Sequence, residues 1–280
     1  MSATAVQARP CEPAPRRTHD LPPKPRHVFR VTAIVSILVG ITVLTCIPAI
    51  GGVEIDLASI AKHWDNGAKK LAQLMQPNFA FLPRTVGPML ETLQMALVGA
   101  VIAACISVPL TLWASKPTNP HGFSRGLVRT VINVIRSVPD LVYASVLVAM
   151  VGVGVLPGLI TLVLFDIGII VKLVSEAIDS ADHGYMEAGR ASGGTQFQIN
   201  RVTALPQTLP LFANQWLYTL ELNVRVSAIL GFVGAGGIGR ILDERRGFYA
   251  YGDVSVIILE ILVVVVLIEV VSNILRKKLI

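Results

Sequence analysis

The chain has 280 residues, 53% of them apolar and only 15% charged, with a mean hydropathy of +0.65. A soluble domain carries about 25% charged residues, so this composition excludes an ordinary soluble globular protein and points to an integral membrane protein. The formal net charge of +6 does not indicate a nucleic-acid partner: the basic residues are not clustered with aromatics, and most lie outside the apolar runs, where they set orientation.

Residues 1–30 are rich in Pro and Arg and predict a disordered cytosolic tail. Val31 to Ile50 is an apolar run long enough for a spanning helix. A signal peptide is the competing reading, but the lead is long and shows no clear cleavage site. Residues 51–85 are mixed. Leu57, Ile60, Ala61 and Trp64 recur there at helical spacing and predict an amphipathic helix on the outer face. The second span is Val86 to Trp113, with Glu91 towards its outer end. Its centre is rich in alanine (Ala96, Ala100, Ala103, Ala104), which suits close helix packing. A polar loop follows over 114–127.

Residues 128–152 predict a broken membrane helix. Its first part carries Arg129 and Arg136 and ends at Ser137-Val138-Pro139-Asp140, whose Ser and Asp have the spacing of a capping box. Leu141 to Val151 completes the crossing. Leu156 to Glu176 is the fourth span, with Asp166 and Lys172. Gln207 to Val233 is the fifth, with Glu221, Asn223 and Arg225. A Gly-rich charged connection covers 234–251. Val254 to Ile274 is the sixth span, and Arg276-Lys277-Lys278 follow it. Cys11, Cys46 and Cys105 are too scattered for a disulfide framework or a metal site. The expected organisation is a tail over 1–30, a first helix and outer interfacial segment over 31–85, and an all-α core over 86–280.

About six spans place both termini on one side. Lys and Arg favour the side holding the termini about two to one over the other, which predicts cytoplasmic N- and C-termini. The segment 187–206 then also lies in the cytoplasm. It reads as a short helix, a break at Gly193-Gly194, and a second short helix capped by Thr195 and stopped by Pro206. Such a helix-turn-helix is a compact knob that fits a groove on a soluble partner.

Two glycine patterns bear on nucleotides. Gly234-Ala-Gly236-Gly237-Ile-Gly239 matches a dinucleotide fingerprint, but that motif needs a preceding short strand in a βαβ unit. Here a membrane-length run precedes it, so it reads as a tight turn where helices or a substrate path close up. No phosphate-binding loop of the G-x-x-x-x-G-K-[ST] type occurs in the sequence, so ATP drive would need another subunit.

The spacing of Glu187-Ala188, Gly193 and Leu205-Pro206 resembles the coupling loop of ABC importer permeases. Gly189 stands where Ala is usual, and Thr203 where Ile is usual. The run from Glu221 through Asn223, Arg225 and Ser227 to Gly239, with Glu91 to Gly99 and Arg136-Ser-Val-Pro139, resembles the phosphonate branch of these permeases. Methionine importer permeases share much of the glycine turn, so a methionine-type or other small-solute ABC permease is the alternative, and the Glu221-x-Asn223-x-Arg225 run favours phosphonate or phosphate. The resemblance covers roughly residues 85–280 and implies a type I importer permease fold in a bacterial inner membrane. It implies a translocation subunit, not an enzyme, that moves phosphonate or phosphate inward by alternating access. Glu187, Ala188, Gly193, Leu205 and Pro206 would couple it to a cytoplasmic ABC ATPase dimer. That dimer would hold ATP and Mg, and this chain no cofactor or metal. An extracytoplasmic binding protein and a second permease copy or homologue would complete the assembly.

A charge at mid-bilayer costs about 2.5–3.5 kcal/mol on insertion scales, so the embedded charges need an account. Glu221 and Arg225 are four apart and can pair on one helix face. Either the pair is structural, or Arg225 faces the path and attracts an oxyanion. Asn223 and Ser227 offer neutral hydrogen bonds along such a path. Asp166 suits helix packing or a gate, and Lys172 and Glu176 suit an interfacial pair. Arg136 either snorkels to headgroups or joins the path. Two other classes are weighed. An ion-gradient-driven transporter would use Asp166 and Glu221, yet no clear inverted repeat is present. A membrane enzyme needs a clustered site, whereas His19, His27, His63, His121 and His183 are scattered.

Overall fold

The structure is a computed structural model describing residues 28–45, 57–181 and 184–279. The predicted tail lies outside the described residues, except for its last three, which open the first helix. The chain divides into two units, Met1–Trp64 and Asp65–Ile280. In the first unit, α1 (Val28–Thr45) is an apolar helix and α2 (Leu57–Lys62) a short one. The single amphipathic helix expected after residue 56 is interrupted at His63, whose Nδ1 lies 2.9 Å from the Ser59 carbonyl oxygen. Trp64 therefore opens a separate amphipathic helix, α3 (Trp64–Leu74).

The second unit is helical throughout, with no strand among the described residues. In chain order it contains α3 from Asp65 on, then α4 (Leu82–Ala114), α5 (Gly122–Ser137), α6 (Asp140–Val151) and α7 (Val155–Ser180). Then come α8 (Gly184–Ala191), α9 (Gln196–Ile199), α10 (Leu205–Leu230), α11 (Gly237–Gly247) and α12 (Tyr251–Leu279). Helices α4, α7 and α12 are long and apolar enough to cross a membrane alone. Two bent pairs raise the number to five: α5 with α6, at 84°, and the α9–α10 run with α11, at 49°. The apolar stretch of α1, Arg30–Leu44, is shorter.

The helix break at Pro139 is present, but the capping box is not. Ser137 Oγ donates back to the Val134 carbonyl (2.8 Å), and the Asp140 carboxylate accepts from the Leu141 N–H (3.0 Å). Proline itself makes the break, because it lacks an N–H and disfavours helix in the residue before it. The connection expected over 234–251 is also different: most of it is α11.

Helices α4, α7 and α10 pack on one another at the centre, with α5 and α6 against α7 and α12 against α10. The sequence of α4 makes this close approach possible. Thr92, Ala96, Gly99, Ala100, Ala103, Ser107 and Thr111 recur every three or four residues, and all are buried. A Cβ on Gly99 would lie 3.3 Å from Leu162 Cβ. In a membrane, where apolar surface gains little by leaving lipid, such small-residue seams hold helices by close packing.

Candidate functional site

The segment 184–206 folds as a small unit with its own core. Met186, Ile199 and Ala204 are buried together beneath Tyr185. Helix α8 ends in a glycine turn: Gly193, at φ 77°, donates to the Arg190 carbonyl (3.0 Å), and Gly194 to that of Gly189 (3.3 Å). Thr195 then caps α9 reciprocally with Gln198. The Thr195 N–H donates to Gln198 Oε1 (2.9 Å), and the Gln198 N–H to Thr195 Oγ1 (3.4 Å). Glu187 lies exposed in the first turn of α8, where a carboxylate complements the helix dipole. Ala188 is exposed beside it, as are Phe197 and Val202 further along.

Pro206 does not stop a second short helix. A π-helical turn at Asn200–Ala204 joins α9 to α10, and Pro206 falls in the first turn of α10. The wide π turn relieves the clash between a proline ring and the carbonyl four residues earlier, and at a helix start the missing N–H is no loss. Leu205, partly buried, occupies the same junction. The two departures from the usual loop pattern meet at one contact. A Cβ on Gly189 would lie 3.3 Å from Ile199 Cγ1 and 3.4 Å from Thr203 Oγ1.

The knob is hydrogen-bonded to the loop between α4 and α5. Gln196 Nε2 donates to the carbonyls of Pro117 (3.3 Å) and Thr118 (3.2 Å). Asn200 Nδ2 donates to Thr118 (2.9 Å), and Arg190 Nη2 to Pro117 (3.2 Å). That loop is anchored in turn to the end of α7. The Lys116 N–H donates to Asp179 Oδ1 (2.7 Å), and Asp179 also pairs with Arg129. None of these links has a local signature. Gln196 and Asn200 read as surface residues of a helix, and Asp179 as one more charge near a helix end.

Among the membrane-embedded groups, Glu221 and Arg225 form an ion pair on α10. Arg276 approaches the other Glu221 oxygen at 4.0 Å, a contact that its place after the last apolar run did not suggest. Asn223 is fully buried; its Nδ2 donates to Asp166 Oδ2 (2.7 Å) on α7 and reaches the Ala96 carbonyl (3.3 Å) on α4. Ser227 is buried one turn on. Lys172 and Glu176 pair at 2.5 Å. Arg136, on α5, packs against α7. Its stem lies over Gly168, where a Cβ would fall 2.7 Å from Arg136 Cγ. It lines a cavity of about 280 Å³ at the α5–α6 break with Pro139, Asp140 and Tyr143.

At the far end of α10 the glycines bring backbones together. Gly234, Gly236 and Gly237 have φ of 84°, 83° and 67°. Gly239 lies directly against Ala228 and Gly231, so that a Cβ at Gly231 or Gly239 would overlap backbone. The start of α11 is already occupied by side chains from α4: the Ile238 N–H donates to Thr92 Oγ1 (2.8 Å) and the Gly237 N–H to Glu91 Oε1 (3.3 Å). These donors are therefore not free for a nucleotide phosphate, and the segment preceding them is helix, not strand.

Comparison with known proteins agrees with this architecture. Residues 107–280 match the family "Binding-protein-dependent transport system inner membrane component". The chain is 35% identical over 272 residues to the phosphite transport system permease protein PtxC of Stutzerimonas stutzeri, covering 97% of each chain. It is 36% identical over 208 residues to the phosphate-import permease protein PhnE of Mycolicibacterium smegmatis, covering 74% of this chain and 39% of that one. In fold it is similar to a chain of the MetNI methionine ABC transporter in an inward-facing form, with a TM-score of 0.63 and 24% identity, over 72% of this chain and 99% of that one. With the apolar helix bundle and the knob, these similarities show that the chain belongs to the inner-membrane permease family of binding-protein-dependent ABC transport systems.

Proposed function

We propose that the chain is the translocation subunit of an ATP-driven importer for phosphorus oxyanions, with phosphonate, phosphate and phosphite as the substrate class. The observation that carries this reading is the knob: a small, separately cored unit with an exposed Glu187–Ala188 edge, tied through the Pro117–Thr118 loop and Asp179 to α4, α5 and α7. A push on such a unit is transmitted to three membrane helices. The full-length similarity to a phosphite permease supports the substrate class. Two copies, or this chain and a homologue, enclose a path about a two-fold axis. Each presents its knob to a cytoplasmic ATPase dimer, which holds ATP and Mg. ATP-driven closure of that dimer shifts the permease pair between inward- and outward-open states, and an extracytoplasmic binding protein delivers the substrate. Arg225 faces the path and attracts the oxyanion. Asn223 and Ser227 hold the adjoining helix seam, and Arg136 lies at the α5–α6 bend. The glycine turn from Gly234 to Gly239 closes the outer end.

The test is reconstitution of the chain with its ATPase and binding protein, measuring uptake of phosphate, phosphonate and phosphite together with ATP hydrolysis. Glu187→Ala is expected to lose most of the substrate-stimulated hydrolysis while the complex still assembles. Unchanged hydrolysis and uptake would remove the knob from coupling. Uptake that collapses with a protonophore while ATP is held constant would favour a gradient-driven carrier instead.

A further inference from the structure

Arg276 lies close to the end of α12. Val224 and Val265 share a cluster with Leu220 and Ile268, and Ile257 shares one with Met89 and Ile238, so α12 runs antiparallel to α10, towards the end of the bundle from which α10 starts. An arginine at such a helix end ordinarily turns towards water and headgroups. This one turns into the bundle: its side chain is 27% exposed, and Nε and Nη2 are buried with no hydrogen-bond partner among the described residues. Its ion-pair contact, Glu221 at 4.0 Å, is too distant for a hydrogen bond, and Glu221 is already held by Arg225. One carboxylate thus serves two guanidinium groups, leaving the cluster with one excess positive charge and buried donors that lack an acceptor. The Arg225 side chain is 46% exposed within a spanning helix, five residues before its end at Leu230. A guanidinium facing lipid inside a span is disfavoured, which favours a path or a second copy on its open side.

We propose that Arg225, Glu221 and Arg276 form an exchange site for the substrate oxyanion on the path. The oxyanion takes the place of Glu221 on Arg225 and fills the unpartnered donors of Arg276. It leaves when Glu221 returns. A guanidinium fork matches the oxygens of a tetrahedral phosphorus oxyanion, whereas a lysine would offer only a point charge. Glu221 is the internal competitor that keeps the site weak enough to release its cargo. This inference rests on the proposed substrate class.

The experiment measures equilibrium binding of labelled inorganic phosphate to the permease–ATPase complex in nanodiscs, without binding protein. The site predicts opposite signs for opposite charges. Glu221→Gln tightens phosphate binding about threefold or more, and Arg276→Gln weakens it by at least about as much. A purely structural ion pair predicts changes of the same sign, or none, and either result overturns the proposal. Should Arg276→Gln fail to assemble, Arg276→Lys decides, since it keeps the charge and loses the fork. Weaker binding in Arg276→Lys then supports the site, and wild-type binding overturns it. Uptake by the wild-type full complex separates the two levels. If it imports none of phosphate, phosphonate and phosphite, the substrate class and the site both fall. If it imports one of them and the variants do not shift as stated, the site alone falls.

Discussion

Gly231 and Gly239 press two backbone segments together with no side chain between them, and a methyl group at either position would overlap main-chain atoms of the other segment. Main chain cannot rotate away as a flexible side chain can. Gly231→Ala is therefore expected to destabilise the permease by about 1–3 kcal/mol or more, the range for overpacking a filled interior. Gly126→Ala is the matched control, because it sits in α5 with nothing within 4 Å of the added carbon. There, replacing glycine in a helix should stabilise by about 0.5–1 kcal/mol. Thermal unfolding of the two purified variants in detergent is expected to move in opposite directions. Equal shifts would mean that the close approach at Gly231 relaxes without cost. The glycines were visible in the sequence as a turn, because their spacing is unusual. Their partners were not: Glu91 and Thr92 lie 146 residues away from the N–H groups they accept from.

At the scale of elements, the coupling unit is a helix pair bonded to a neighbouring loop, and its value depends on that bond. Gln196 and Asn200 make three hydrogen bonds to the Pro117 and Thr118 carbonyls, each worth about 0.5–1.5 kcal/mol net. Replacing both by alanine is expected to leave the knob folded, since its apolar core and the Thr195 cap are untouched. Its grip on the α4–α5 loop would weaken. The expected result is more ATP hydrolysed per substrate imported, read from uptake and hydrolysis in the same vesicles. An unchanged ratio would mean that force reaches the helices by the direct chain connection into α10 alone. The sequence shows the knob itself clearly, because glycine breaks and caps act over three or four residues. It misplaces the end, since the π turn that lets α10 continue past Pro206 depends on tertiary packing. Helix α11 was missed for a related reason. Its first N–H groups are capped from α4, and its charges pair along the helix, as Arg246 does with Asp243 (2.6 Å), so glycines and charges that look like a connection are held helical.

For the whole molecule, the distribution of Lys and Arg predicts an orientation of the bundle, and the fold gives that prediction a sharper form. The knob and the end of α12, with Arg276, Lys277 and Lys278, share one end of the unit. The α11–α12 junction, with exposed Phe248, lies at the end opposite the knob. If the positive-inside bias governs insertion, these two ends must face opposite compartments. The prediction uses single cysteines in a background lacking Cys11, Cys46 and Cys105. Ser192→Cys, on the exposed turn of the knob, should react with a membrane-impermeant maleimide only in inside-out vesicles. Phe248→Cys should react only in right-side-out vesicles or intact spheroplasts. Ser192 is suited to this because it is exposed and follows the last residue of α8. Phe248 is suited because it is 72% exposed beyond the end of α11. Labelling of both positions from the same side would break the link between charge bias and topology. Labelling from opposite sides, but with Ser192→Cys outside, would invert the bundle and require the path to deliver its cargo outward.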